Sequence, residues 1–246
     1  MKYIFGNWKM YLDFDESNIL ANALLQEKFD ENNLKLAIFP SALAIREVIM
    51  AMENSAFSVG AQNVSWVEKG GYTGAISAQM FLNVGSEYAL VGHSERRHIF
   101  GETDEDVRKK LQACLEIGLT PVLCIGEKKE EKDSGLRNTC LQRQLAVLAG
   151  LDLKNKEILI AYEPVWAIGT GNACDPVEAE QVHHWIKEEL KKYSGQEIPI
   201  LYGGSVKAEN VISYVSLPAI DGVLVGGASA KFETFVSIIK KVEEII

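Results

Sequence analysis

The stretch Ile158-Leu159-Ile160-Ala161-Tyr162-Glu163-Pro164-Val165-Trp166-Ala167-Ile168-Gly169-Thr170-Gly171 sets one carboxylate at the abrupt end of an apolar run. The run reads as a strand buried in a parallel sheet, and Pro164 prevents it from continuing as a regular strand. The residues that follow, Pro164, Val165, Trp166, Ala167, Ile168, Gly169, Thr170 and Gly171, mix large apolar side chains with glycines. That is the composition of a lid, with something to bury and a means of moving. Taken alone, the segment fits equally well an ordinary strand-to-helix connection carrying a solvated Glu163.

Similar apolar runs recur at intervals of about thirty residues, each followed by helical patterning, as in a parallel sheet built from βα units. They are Tyr3 to Trp8, Lys35 to Phe39, Phe57 to Ala61, Tyr88 to Gly92, Thr120 to Ile125, Ile158 to Tyr162, Ile198 to Tyr202 and Asp221 to Val225. Eight units, with no leftover domain, linker or low-complexity segment across 1–246, predict an α/β fold closed into a single-domain (β/α)8 barrel. An open doubly wound sheet is disfavoured, because no Gly-x-Gly-x-x-Gly fingerprint follows the first strand. Helix boundaries are marked too: Thr103 with Asp106 resembles a capping box that Gly118 closes, and Asp175-Pro176 opens a helix whose inward stripe is Val182, Trp185 and Ile186. Phe232, Phe235, Val236, Ile239 and Val242 place the apolar face of a last helix on the barrel.

Composition narrows the function. A net charge of -9 argues against nucleic acid as a partner. No apolar run approaches the roughly 18 residues that span a bilayer, and the N-terminal residues read as a first strand and not a signal peptide. A cytoplasmic protein without a membrane partner is expected. Cys114, Cys124, Cys140 and Cys174 lack metal-binding spacing and are expected as reduced thiols. The adjacent His183 and His184 point in different directions on a helix, so no metal site is expected. The sequon Asn63-Val64-Ser65 has no consequence without secretion.

In a barrel of this kind the C-terminal ends of the strands converge on one face, bringing together polar residues that are distant in sequence. Strand one ends with Asn7 and Lys9, strand four with His93-Ser94-Glu95, strand six with Glu163, strand seven with Gly203-Gly204-Ser205, and strand eight with Gly226-Gly227-Ala228-Ser229. Glycine-rich turns after strands seven and eight expose backbone N–H groups where such barrels bind phosphate. A short helix starting after His93 would set its positive end beside the imidazole and favour the neutral ring.

With these residues in place the chain resembles the triosephosphate isomerase family from end to end. The matching stretches are Asn7 to Met10, Gly92 to Arg97, Ala161 to Gly171, Tyr202 to Ser205 and Gly222 to Ser229. The resemblance implies an aldose-ketose isomerase of glycolysis and gluconeogenesis, interconverting dihydroxyacetone phosphate and D-glyceraldehyde 3-phosphate through an enediolate without cofactor or metal. It implies Glu163 as base, His93 as electrophile at both oxygens and Lys9 as a fixed charge supported by Asn7, with Glu95 nearby. This glutamate and neutral-histidine pairing is the known arrangement of triosephosphate isomerases. Phosphate contacts are implied at Gly169, Ser205, Gly226 and Gly227, and packing or lid support at Gln62, Cys124 and Tyr202.

The resemblance also implies a homodimer, in which the loop from Gln62 to Ala75 enters a pocket of the twin subunit with Thr73 at its tip. Two residues depart from the family pattern: Ala75 stands where Glu is usual, and Tyr11 where Asn is common. Both positions belong to the subunit contact in relatives, so they bear on the strength of the dimer and its polar network and not on the chemistry. Two other readings remain. A phosphate-sugar lyase on the same fold would place a Schiff-base Lys or metal ligands at the strand ends, and a noncatalytic phosphate-binding barrel predicts loss of Lys9, His93 or Glu163. All three are present.

Overall fold

Eight parallel strands pair in sequence order and close on themselves. They are β1 (Lys2–Asn7), β2 (Leu34–Phe39), β3 (Phe57–Ala61), β4 (Tyr88–Val91), β5 (Thr120–Ile125), β6 (Leu159–Tyr162), β7 (Ile200–Tyr202) and β8 (Gly222–Val225). The computed structural model describes residues 1–168 and 173–246. The circle is completed where β1 pairs with β8, Tyr3 opposite Gly222 and Gly6 opposite Val225. The architecture is therefore the expected (β/α)8 barrel.

Alternation along the strands divides the core in two. Phe5, Phe39, Tyr88, Leu90, Val122, Leu159, Leu201 and Leu224 form one cluster inside the barrel, where the rings of Phe5 and Tyr88 lie 4.9 Å apart. Ile4, Leu36, Ile38, Val59, Leu123, Ile160, Ile200 and Val223 instead join the helices. Each strand therefore buries both faces, which is why it reads as a nearly continuous apolar run.

The helix signals act where the sequence places them. Thr103 caps Asp104–Ile117 with Asp106 in a reciprocal capping box, and Gly118 ends that helix at φ 81°. Asp175 caps Pro176–Leu190, in which Val182 and Ile186 are buried and Trp185 is half-buried against the core. His183 is buried and His184 exposed, as adjacent helical positions require. Phe235, Ile239 and Val242 of the last helix, Phe232–Glu243, are buried with Ile238.

Strand limits differ from expectation by one or two residues. β7 begins at Ile200 and not Ile198, because Pro199 has no N–H to donate and the Asp221 carboxylate accepts from the Ile200 amide at 2.8 Å. β4 stops at Val91, since Gly92 turns to φ 74° and redirects the chain toward His93. Among the described residues no helix is long and apolar enough to cross a membrane.

Candidate active site

β1 ends at Asn7, whose side-chain oxygen accepts from the Lys9 amide at 3.0 Å. That contact holds Lys9 at φ 51°, a left-handed conformation that costs a non-glycine residue on the order of 1–3 kcal/mol. Gln62, at the end of β3, donates to the carbonyls of Lys9 at 2.7 Å and Phe39 at 2.9 Å, fixing the turn from below. The Lys9 ammonium then reaches Glu95 Oε1 at 2.7 Å.

After β4, His93 caps the short helix Ser94–His98 with its own ring: Nδ1 accepts from the Glu95 amide at 3.3 Å. An Nδ1 that accepts carries no proton, so Nε2 is the donor, and it faces Glu163 Oε1 at 3.0 Å. Arg97 secures this loop by donating to Gly92 O at 2.7 Å and pairing with Asp104 at 2.6 Å.

Glu163 follows β6 and is buried; its second oxygen accepts from the Ser94 amide at 2.8 Å. Burial by itself would raise its carboxyl, but His93, the Ser94 amide and the Lys9 charge outweigh it and hold the group below the usual carboxylate value. Two glycines make room for this residue. A Cβ at Gly203 would lie 2.9 Å from Glu163 Cγ, and one at Gly126 would lie 1.7 Å from the Glu163 carbonyl oxygen.

Asn7, Lys9, His93, Glu163, Ser205, Gly226 and Gly227 line one cavity of about 210 Å³, with Ile168 on its wall. This is below the about 300–1,000 Å³ typical of drug-sized ligands, so the site suits a small metabolite. Glu95, 42% exposed at its side chain, stands outside that cavity behind Lys9. Of the expected lid, Pro164, Val165, Trp166, Ala167 and Ile168 leave Glu163 with a 3-10 turn at Val165–Ala167. Gly169, Thr170 and Gly171 lie outside the described residues, and with them the expected phosphate contact of Gly169.

The base of that loop is held by residues the sequence reading passed over. Glu127, fully buried, accepts from Tyr162 Oη at 3.1 Å, Trp166 Nε1 at 2.9 Å and Arg137 Nε at 3.1 Å. Lys132 lies 3.6 Å from the centre of a Trp166 ring and pairs with Glu178 at 2.9 Å. Glu127 opens a run rich in charge, which reads as solvated; its one signal is its place just past the end of β5. Tyr202 accepts from the Cys174 amide at 3.3 Å beyond the loop. Burial beside Glu163 pushes the Cys124 thiol well above its ordinary range, so it packs as a neutral group.

A second cavity, of about 570 Å³, opens beside the first and shares Asn7, Lys9 and His93 with it. Trp66, Tyr72, Ala75 and Phe100 are among its other walls. Thr73 is exposed on the loop beside it. Met10 faces this larger cavity, whereas Tyr11 lines the smaller one.

A closed barrel that gathers a carboxylate, an imidazole and an ammonium beside glycine-rich turns, all at the C-terminal ends of its strands, falls in the class of (β/α)8-barrel enzymes. A family model described as triosephosphate isomerase matches residues 2–242. The chain is 41% identical over 249 residues to the triosephosphate isomerase of Francisella tularensis subsp. novicida (strain U112), covering 99% of this chain and 98% of that protein. It is 43% identical to that of Carboxydothermus hydrogenoformans, over 97% of each chain, and 44% identical to that of Nostoc sp., over 96% of this chain and 97% of the relative. The chain belongs to the triosephosphate isomerase family.

Proposed function

We propose that this protein interconverts dihydroxyacetone phosphate and D-glyceraldehyde 3-phosphate. The observation that carries the reading is the meeting of Glu163, His93 and Lys9 in one small cavity that Ser205, Gly226 and Gly227 also line. A carbon acid beside a carbonyl needs a base at carbon, a donor at the two oxygens and a charge that stabilises the developing oxyanion. Glu163 takes the proton from one carbon and returns it to its neighbour. His93 Nε2–H serves both oxygens, and the Lys9 ammonium, positioned by Asn7, faces the enediolate. Glu95 holds Lys9 in place through their ion pair.

Glu163 begins as a weak base, because it accepts from His93 and from the Ser94 amide. Leaving those donors for the substrate carbon raises its proton affinity where it is needed. The phosphate sits on the turns after β7 and β8 at Ser205, Gly226 and Gly227, with Gly169 of the lid completing the contacts. Closure of the loop that Pro164 to Ile168 begin uses that remote binding energy at the reacting carbons.

The protein acts as a homodimer. Supporting this are exposed apolar side chains on the walls of the larger cavity, Met10 at 97%, Phe100 at 66% and Tyr72 at 54%. Thr73 of the twin enters that cavity, next to Lys9 and His93. Four buried free thiols suit a reducing compartment, and we place the protein in the cytoplasm, without nucleic-acid or membrane partners.

A coupled assay on D-glyceraldehyde 3-phosphate over a dilution series tests the whole reading. Rapid turnover with specific activity falling at low protein concentration is expected. No turnover by folded protein would refute it.

A further inference from the structure

The turn after β1 lays two side chains over two consecutive glycines. Lys9, in its left-handed conformation, and the hydrogen bond from the Tyr11 amide to Trp8 O at 3.1 Å bend the chain back across the end of β8. A Cβ at Gly226 would stand 3.4 Å from Lys9 Cε and 3.7 Å from Nζ. One residue on, a Cβ at Gly227 would stand 3.4 Å from Tyr11 Cε2 and 3.6 Å from the Tyr11 hydroxyl. The phenol thus covers Gly227 as the ammonium stem covers Gly226. Its hydroxyl makes no hydrogen bond among the described residues, and the residue is 61% exposed at the mouth of the 210 Å³ cavity.

An anion resting on the amides of this turn would occupy the space immediately outside Gly226 and Gly227. The Tyr11 hydroxyl is an O–H donor that borders that space from the β1 side, in the cavity that Ser205 also lines. A phenol is a suitable donor here: it reaches out on a rigid ring, and it adds no charge to a site where Lys9 already supplies one.

We propose that Tyr11 is a substrate-binding residue, its hydroxyl donating a hydrogen bond to a peripheral oxygen of the substrate phosphate at Gly227. The proposal rests on the phosphate-binding reading given above and adds to it a residue from the first βα turn. It also gives the departure at position 11 a role in ligand recognition within its own subunit.

The test compares wild type with Tyr11→Phe, which keeps the ring on Gly227 and removes only the oxygen, and with Tyr11→Asn, which removes the ring. Inorganic phosphate binding is measured by calorimetry, and KM is measured for D-glyceraldehyde 3-phosphate and for unphosphorylated D-glyceraldehyde. Loss of one partly exposed bond to a dianion should weaken phosphate binding by roughly 5- to 20-fold in Tyr11→Phe, with a parallel rise in KM for the phosphorylated substrate. Phosphate bound equally well by wild type and Tyr11→Phe would overturn the proposal and leave the phosphate site itself intact. A loss of equal size on the unphosphorylated substrate would also overturn it, by showing that the hydroxyl supports the fold of the turn. Absence of phosphate binding to wild type would overturn the proposal together with the reading beneath it.

Discussion

Replacing Glu127 by Ala should destabilise the fold and slow turnover together, although Glu127 lines no wall of the cavity. One carboxylate oxygen, Oε1, accepts from Tyr162, Trp166 and Arg137 inside a fully buried position. Truncation strands the Tyr162 hydroxyl, which burial and the nearby carboxylate keep protonated and in need of an acceptor; a buried donor left so costs about 1–3 kcal/mol. Arg137 keeps Glu178 as a partner, so its guanidinium is only partly deprived. Together with the lost tie to Trp166, the total should be about 3–5 kcal/mol, the range for breaking a buried charged pair. Urea unfolding measures it. Because Trp166 lies three residues beyond Glu163, loosening its turn should also lower kcat/KM by about tenfold or more. Glu127→Gln is the control: Oε2 makes no hydrogen bond, so a Gln oxygen can replace Oε1, and roughly half the stability loss is expected. A Glu127→Ala protein within about 1 kcal/mol of wild type would refute the reasoning.

Three further outcomes are expected. Gly126→Ala puts a methyl group against the Glu163 carbonyl, a backbone atom that cannot rotate away, and should cost at least about 3 kcal/mol by urea unfolding; a smaller loss would show that β5 and β6 can part. The Glu163 carboxyl is held below its ordinary value in the native state, so its stabilising effect is complete above the unfolded-chain value near about pH 4.3 and disappears as pH falls through the native one. The stability of wild type relative to Glu163→Gln should therefore drop in acid and be flat near neutrality; a difference independent of pH would contradict the linkage. Phe100→Asp sets a charge on the exposed apolar face and should sediment as a monomer where wild type sediments as a dimer, while an unchanged profile would move the interface elsewhere.

Much of this was legible in the chain because the barrel imposes strict local rules. Strands buried on both faces announce themselves as apolar runs, and the residues that close them must lie at one rim, so Asn7, Lys9, His93 and Glu163 could be grouped before any geometry was known. Thr103, Gly118, Asp175 and Pro176 mark helix ends by interactions that span only a few residues. What stayed hidden depends on partners distant in sequence. Glu127 reads as one more member of a charged run until Tyr162, Trp166 and Arg137 enclose it. The Ser94 amide becomes a ligand of Glu163 only across 69 residues. Tyr11 is read from the family pattern as a subunit-contact position; that the turn at Lys9 also lays it over Gly227, with Met10 on the larger cavity, depends on a backbone angle no residue pattern announces.

The central claim is that Glu163 moves a proton between adjacent carbons, and isotope exchange tests it most directly. Dihydroxyacetone phosphate is incubated in D₂O with wild type and with Glu163→Gln, and carbon-bound deuterium in the D-glyceraldehyde 3-phosphate formed is followed by NMR. The account predicts deuterium in the wild-type product, and in Glu163→Gln a rate of exchange and of isomerisation lower by at least ~10²-fold. Exchange and isomerisation by Glu163→Gln at the wild-type rate would remove Glu163 from the base role and contradict the account.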